Sequence, residues 1–452
     1  MTVAERLAQH VAETRFETLP PAAVDAAKTF LLDTLGVATA GSGTPGSDAV
    51  RAAAEGWGSG TEARVLGTAL RLPAPAAAFV NAHHAHCQEF DCLHEPAVVH
   101  ALSTVMPAAL AWAERMGGIT GRDFLTALAL GVDVAVTLGL NPRGRWQFFR
   151  PGTAGAFGAV AAVGKLAGFN AARLADAFGL AYAQVSGTMQ PHGEGKPLLP
   201  LQIGFSARNA VVAADLARAD LAGTRETFEG KHGYIALFEP GFDLAPALAE
   251  LGRVWRIAEL SHKPFPSGRA THGLIDGLLR LKAAHGFAAE EVEQVLLLAS
   301  PLIAQLVGRP PLAEMSASYA RLCARYVGAV ALLRGGVGLD DFGPEAMRDP
   351  AARSLAAKIV IAIDEQARGN VLLPQELAIR LKNGTVHRLH IADTLGSPDR
   401  PLDRERQLAK FRVCWAKSAA RLPAEAADRV IAAVERIETL EDVRALARLA
   451  AP

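Results

Sequence analysis

One stretch of the chain, residues 81–100 (NAHHAHCQEFDCLHEPAVVH), concentrates side chains that can move protons or bind metals. It contains two cysteines, and its histidines and acids are His83, His84, His86, Glu89, Asp91, His94, Glu95 and His100. Histidine titrates near neutral pH and is tuned by neighbouring carboxylates. The pattern therefore predicts an acid–base site in a loop that enters a helix.

Two other interpretations of this stretch remain open. A metal site would draw on the ligands His84, His86, Glu89, Asp91, His94 and His100. A His-x-His pair suits a metal site on a strand, but the HExxH spacing is absent and the preceding segment has a helical pattern. Alternatively, most of these groups are solvated or cap backbone ends. That bland interpretation is favoured for His83, His84 and His86 taken singly.

A second cluster covers residues 146–153 (WQFFRPGT), where Arg150 precedes Pro-Gly at the mouth of a helix of small residues. Helix N-termini attract anions, and the guanidinium fork binds carboxylates in a bidentate way. Arg150 is thus a candidate carboxylate clamp, although an arginine on the surface that ends a turn fits the pattern equally well.

Two further clusters carry positive charge. Lys196 lies in a Gly/Pro-rich loop (190–204, QPHGEGKPLLPLQIG), and such loops often carry function. The phosphate-binding patterns GxxxxGK[ST] and GxGxxG are absent, so its glycines are interpreted as turn formers. Residues 262–272 (HKPFPSGRATH) contain Lys263, Arg269 and His272 at an expected domain junction. They either present positive charge to a substrate in a cleft or form a solvated hinge.

The elements that must position these groups are mostly helices. Helices are predicted over 22–40, after the pair Pro20-Pro21, and over 101–116, 121–138, 153–168, 171–186 and 316–334. A strand is predicted at 293–300. A hairpin is predicted over 374–393 around Asn383-Gly384, with Leu377 and Leu389 facing the same side. The fold class is therefore mostly α. A large all-helical domain is formed by both chain ends (1–260 and 398–452), and a smaller α/β lid domain (261–397) is inserted in it.

Composition excludes several classes of protein. The 452 residues include 46 Lys+Arg and 46 Asp+Glu, so no basic excess points to nucleic acid. The most apolar segment, 124–140, carries Asp133 and is short for a membrane span, so a buried core helix and no membrane partner are predicted. The N-terminus has no apolar signal core, which favours a cytoplasmic protein. The GxSxG pattern of serine hydrolases, which carries their nucleophile, is absent as well. What remains is a site without a cofactor, suited to removing a proton beside a carboxylate.

Six segments of the chain, in order, resemble the MmgE/PrpD family. They are FLLDTLGVATAG, the 81–100 stretch, GTAGAFGAVAAVGKLAG, GKPLLPLQIG, KPFPSGRATH and YVGAVALL. The family includes 2-methylcitrate dehydratase, cis-aconitate decarboxylase and iminodisuccinate epimerase. The resemblance implies a helical domain with a smaller α/β lid, in a homodimer, acting on a small carboxylate.

The resemblance also implies roles for individual residues. Glu89 and Asp91 would line the site, His100 would move a proton, and Tyr326 would donate one. Lys196 and Lys263 would hold substrate carboxylates. The remaining candidates for substrate binding are Arg150, Arg269, His272 and His94.

Three positions depart from the family pattern. Cys92 replaces the second acid of an FDD-type motif, and Arg150 and Ser267-Gly268 stand where decarboxylases carry histidines. Since an arginine cannot relay a proton as an imidazole does, these departures favour an anion clamp over decarboxylation. We expect a dehydratase-like lyase that needs no cofactor. An epimerase that uses the same pocket is the first alternative, and a metal-dependent hydrolase built on the 81–100 histidines is the second.

Overall fold

The computed structural model describes residues 1–140, 147–367 and 371–452, and helices dominate them. The helices of the first 260 residues are α1 (Val3–Glu13), α2 (Pro21–Ser42), α3 (Ser47–Glu55), α4 (Ala74–His86), α5 (Ala101–Met116), α6 (Gly121–Thr137), α7 (Arg150–Leu166), α8 (Ala171–Tyr182), α9 (Gln190–Glu194), α10 (Leu199–Arg218), α11 (Tyr234–Phe238) and α12 (Ala245–Ala249). A short antiparallel pair, β1 (Ala63–Arg64) and β2 (Arg71–Leu72), lies between α3 and α4.

The rest of the chain contains a sheet and a second set of helices. Its strands are β3 (Val292–Ala299), β4 (Ile359–Ile363), β5 (Gln375–Leu381) and β6 (Val386–Ile391). Its helices are α13 (His272–His285), α14 (Pro301–Val307), α15 (Ala317–Arg321), α16 (Ala324–Arg334), α17 (Pro344–Arg348), α18 (Pro350–Ala356), α19 (Arg404–Trp415), α20 (Ala424–Glu435) and α21 (Arg444–Leu449).

The helical body has one apolar core, to which α1 to α8 and α10 to α12 contribute together with α19 to α21. Small residues let its central helices approach closely. At the crossing of α6 and α7, a Cβ on Gly158 would lie 2.4 Å from the carbonyl oxygen of Gly131. Both chain ends therefore fold into the same body, as the pattern of apolar and small residues predicts.

The sheet organises the smaller α/β unit. Its strand order is β4-β3-β5-β6, with β3 parallel to β4 and antiparallel to β5. The predicted hairpin is present: β5 and β6 flank Asn383-Gly384, Leu377 pairs with Leu389, and Gly384 takes a φ of +85°. Helices α13 and α16 pack on each other and on the sheet, around an apolar core drawn from residues 270–391.

Most predicted elements are observed within a few residues of their expected bounds, with two differences. The helix expected over 316–334 is interrupted between Arg321 and Ala324, so it forms α15 and α16. The helix expected to reach 186 ends at Tyr182. Strand β4 was not predicted. The domain boundaries at 260/261 and 397/398, and the role of the α/β unit as a lid, stay predictions.

Residues 124–137 of the predicted core helix belong to the buried helix α6, which ends three residues before the expected limit at 140. Asp133 within α6 is satisfied there by the backbone N–H of Arg256, 2.8 Å from Oδ1, and by His10 at 3.3 Å. None of the helices in the described part of the chain is long and apolar enough to cross a membrane.

Candidate active site

The chemistry-bearing stretch is shaped by the end of one helix and the start of the next. His86 is the last residue of α4, and His100 is the N-cap of α5. Between them the chain turns sharply at Glu89, whose φ of +51° lies in the left-handed region that non-glycine residues avoid. Such local strain is sustained only where surrounding contacts hold it, and it is common at functional sites.

Asp91 is the centre of the site. Its Oδ2 atom accepts hydrogen bonds from Nδ1 of His86 at 2.8 Å, from Nδ1 of His100 at 3.0 Å, and from the Ser103 hydroxyl. The bonds assign the proton of each imidazole to Nδ1, which leaves Nε2 of a neutral ring free to accept a proton. His86 and His100 lie edge to face, with ring centroids 4.8 Å apart.

Lys263 balances the two carboxylates from the other side. Its Nζ lies 2.8 Å from Oε2 of Glu89 and 3.5 Å from Oδ1 of Asp91, and its side chain is fully buried. A two-way backbone bridge between Leu93 and Ser261 brings the Lys263 segment to this position. Lys263 is thus an internal counter-ion, with its charge shared between two acids of the chain.

The acids respond to this environment. Burial acts to raise the pKa of Glu89, but the positive charges of Lys263, His86 and His100 together outweigh it and lower that pKa to about 2. Burial likewise acts to raise the pKa of Asp91, but His100, His86 and Lys263 together hold it well below its usual range. Both carboxylates are therefore ionised at neutral pH.

The two histidines respond in opposite directions. Burial lowers the pKa of His100, and the attraction of Asp91 only partly offsets this. Burial also acts to lower the pKa of His86, but the carboxylates of Asp91 and Glu89 outweigh it and raise that pKa above 6.5. Two groups on one carboxylate whose pKa values are pushed apart can serve as a base and an acid.

A cavity in two compartments lies against this cluster, between the helical body and the α/β unit. The Lys196 compartment is lined by Glu89, Lys196, Arg321 and surrounding proline and leucine side chains. The apolar compartment is lined by His100 and by many apolar side chains from both parts of the fold. His86, Glu89, His192, Leu199 and Leu322 line both compartments.

The predicted site residues are placed unequally. The structure brings together Glu89, Asp91, His100 and Lys263, and it places Lys196 on the cavity wall as an exposed side chain. Tyr326 is not brought to this cavity: its hydroxyl donates to the carbonyl oxygen of Asp341 within the core of the α/β unit.

The predicted substrate-binding residues Arg269 and His272 are held by the protein. Arg269 lines the apolar compartment, but its guanidinium is engaged by Glu95 at 2.9 Å and by the Leu395 carbonyl oxygen and the Thr394 hydroxyl. His272 is fully buried, 3.3 Å from Arg269 and 3.2 Å from the carbonyl oxygen of Ser267.

Arg150 and His94 also have partners within the chain. Arg150 forms a buried bidentate pair with Glu239, at 2.6 and 3.0 Å, and donates to the carbonyl oxygen of Ala97. His94 contacts Glu259 at 3.0 Å and accepts from the backbone N–H of Ala97. In the cluster at 146–153, Trp146 lies outside the described residues.

The interpretation of the 81–100 histidines as solvated groups is wrong, because all five are buried. Among the described residues, donor atoms close enough to share a metal ion are offered by His86, Asp91 and His100. Both Nδ1 atoms of these histidines are already turned onto one oxygen of Asp91, with Lys263 near the other oxygen. His84 is buried apart from this group, and His94 is paired with Glu259.

Several residues at the site were not identified from the sequence. Ser103 lies one turn after His100, and that spacing along α5 could have indicated it. His192 lies in α9, within the Gly/Pro-rich segment that was expected to be a loop and that carries Lys196, and burial lowers its pKa to about 4. Nothing in the sequence pattern marks Arg321, since the helix break that places it is not visible there.

Known proteins of one family match most of the length of the chain. The family models for the MmgE/PrpD N-terminal and C-terminal domains match residues 5–247 and 265–439. The chain is 27% identical to a cis-aconitate decarboxylase-like protein of Aspergillus oryzae, over 99% of this chain and 97% of that protein. It is 28% identical to the cis-aconitate decarboxylase of Mus musculus, over 93% and 88% of the two chains. It is 26% identical to the cis-aconitate decarboxylase of Homo sapiens, over 94% of this chain and 90% of that protein.

Proposed function

The chain belongs to the MmgE/PrpD family of lyase-type enzymes, and from this premise we propose that it catalyses a dehydratase-like elimination on a small polycarboxylate. The observation that carries the proposal is the pair of imidazoles on Asp91, one held as a base and the other as an acid. The names of the curated relatives support a carboxylate substrate and a lyase reaction.

In the proposed step, Nε2 of His100 takes the proton from the carbon next to a substrate carboxylate. The C–H electron pair becomes the new double bond, and the hydroxyl group on the adjacent carbon leaves with its own bonding pair. The imidazolium of His86 donates the proton that turns this group into water. Asp91 fixes both rings and stabilises the imidazolium that forms on His100, as a buried carboxylate does behind a general base.

The charge that develops on the substrate needs compensation. Lys196 is exposed on the cavity wall and is available to a substrate carboxylate. Lys263 acts from behind, since its contacts with Glu89 and Asp91 keep two ionised carboxylates from repelling an anionic substrate. Placed charges of this kind lower the barrier to forming an enolate-like anion.

The test is turnover of hydroxy-di- and tricarboxylates by the wild type and by His100→Gln and His86→Gln. Each substitution should lower kcat by about 10²- to 10⁴-fold, the usual contribution of a general acid or base. His285→Gln, on the exposed end of α13, is the matched control and should retain full activity. Unchanged turnover in both site variants would reject the assigned roles.

Three further measurements separate the alternatives. Incubation with cis-aconitate tests for decarboxylation. Release of carbon dioxide in place of water would contradict the proposed elimination. Deuterium uptake into recovered, inverted substrate without a new double bond would identify an epimerase. Stoichiometric metal, lost together with activity on chelation, would support the hydrolase alternative. The expected homodimer stays a prediction.

A further inference from the structure

Arg321, the last residue of α15, is buried without a counter-ion among the residues that the structure describes. The residue is only 4% exposed, and in that part of the chain its Nε has no hydrogen-bond partner. Within 1–140, 147–367 and 371–452, no carboxylate forms an ion pair with it. The guanidinium instead lies over the ring of Phe342, 4.5 Å from its centroid.

An unpaired buried charge is costly, so its retention requires an explanation. Removing a guanidinium from water without an anion is strongly unfavourable, and structural arginines in protein interiors are normally paired. Burial lowers the pKa of Arg321 to about 10, and the attraction of Glu89 only partly offsets this. Glu89 is engaged by Lys263, and burial raises the pKa of Cys87 to about 11, which keeps its thiol neutral.

The position of Arg321 indicates where an anion would come from. Its side chain lines the Lys196 compartment, whose walls also include His86 and Glu89. It also lines an open groove of about 580 Å³ between the helical body and the α/β unit, which shares Cys87, Pro197 and Ser318 with that compartment. A ligand that enters from the groove therefore meets Arg321 before it reaches the imidazoles.

We propose that Arg321 is a substrate-binding residue, whose guanidinium receives a carboxylate remote from the reacting carbon, together with Lys196 of the same compartment. The proposal rests on the proposed function for its ligand class. The planar fork of arginine matches a carboxylate with two parallel hydrogen bonds, and lysine does not reproduce this geometry. Without substrate, the protein tolerates the unfavourable burial of the Arg321 guanidinium. A bound substrate carboxylate relieves it by forming an ion pair.

The probe is tricarballylate, a saturated tricarboxylate that has no hydroxyl group to eliminate. Calorimetric titration should show binding to the wild type. Binding should weaken about tenfold or more in Arg321→Met, which loses a charge-assisted pair, and nearly as much in Arg321→Lys. With a turned-over substrate, KM should rise far more than kcat falls. Arg348→Gln, an exposed arginine of the same unit, is the control.

Thermal unfolding supplies a readout that a purely structural role would not produce. Without ligand, Arg321→Met should be at least as stable as the wild type, because the unpaired charge is gone while the aliphatic stem is kept. The rise in Tm that tricarballylate gives the wild type should be lost. A less stable variant that keeps this rise, or unaltered tricarballylate binding, would show that Arg321 is structural.

Four more outcomes are decisive. Tighter binding of inorganic phosphate than of tricarballylate would overturn the assignment to a carboxylate. No wild-type binding at millimolar tricarballylate would count against the inference directly. If Arg321→Met loses binding but no hydroxycarboxylate is turned over, the inference stands and the proposed function fails. If a substrate is turned over and Arg321→Met leaves its KM unchanged, the proposed function stands and the inference about Arg321 fails.

Discussion

At the scale of single residues, the site depends on how one carboxylate is shared. Asp91 accepts from His86, His100 and Ser103 through the same oxygen, and its other oxygen lies near Lys263. The two imidazoles contact the same carboxylate, yet the pKa of His86 is raised and that of His100 is lowered. Glu89 lies 3.6 Å from His86 and so adds negative charge on the side of the expected acid.

The pH dependence of the reaction follows from these pKa shifts. His100 must be neutral, and burial lowers its pKa, so kcat/KM should rise with pH along a limb below pH 6.5. His86 must be protonated. Burial acts to lower its pKa, but Asp91 and Glu89 outweigh it, so kcat/KM should fall along a limb above pH 6.5. Steady-state rates from about pH 5 to about pH 9 measure both limbs.

Asp91→Asn is the variant that checks the cause of this profile. A neutral amide no longer attracts the proton of His86, so the alkaline limb should move to lower pH, and activity should fall about 10²- to 10⁴-fold. An unshifted alkaline limb in this variant would contradict the assignment of that limb to His86.

At the scale of elements, the position of His86 is set by the crossing of α2 and α4. Gly41 of α2 lies directly against the last turn of α4, and a Cβ there would be 2.1 Å from the carbonyl oxygen of His84. A backbone atom cannot swing aside as a side chain can. The helices approach this closely only because the residue is glycine.

Gly41→Ala should therefore displace the end of α4. We expect the free energy of unfolding to fall by about 1–3 kcal/mol, as for overpacking in a core, and kcat/KM to fall with it because His86 moves. Urea unfolding and steady-state kinetics measure the two effects. Gly58→Ala, where a Cβ would have no atom within 4 Å, should change neither.

At the scale of the whole molecule, the cavity exists because the helical body and the α/β unit face each other, and α9 is fastened across them. His192 lies 2.9 Å from the carbonyl oxygen of Leu306, Arg309 donates to the carbonyl oxygen of His192, and Ser316 donates to that of Gly195. These contacts hold the segment that carries Lys196 over the cavity.

Arg309→Met should loosen the segment that carries Lys196 without altering the contacts of His86 and His100. We expect KM for a polycarboxylate substrate to rise roughly tenfold, the effect of one lost hydrogen bond to a charged group, with kcat little changed. Limited proteolysis should cleave more readily near residues 190–197. Arg280→Gln, on the exposed side of α13, serves as the control, and a variant with equal loss of kcat and no new cleavage would contradict this role.

The sequence alone determined the features that depend on local pattern. The Pro20-Pro21 start of α2, the bounds of α5 and the Asn383-Gly384 hairpin follow from capping, periodicity and turn chemistry over a few neighbouring residues. The acid–base cluster could be found in the same way, because Glu89, Asp91 and His100 lie within twenty residues of chain. Short separations leave the backbone little freedom to take such groups apart.

Only the tertiary structure decided which charges are free and which are paired. Lys263 meets Glu89 across 174 residues of chain, and Arg150 meets Glu239 across 89. Tyr326 donates to the carbonyl oxygen of Asp341, and no carboxylate among the described residues forms an ion pair with Arg321. Contacts of this range depend on how whole elements pack, and the periodicity of a single segment carries no information about its partner's side chains.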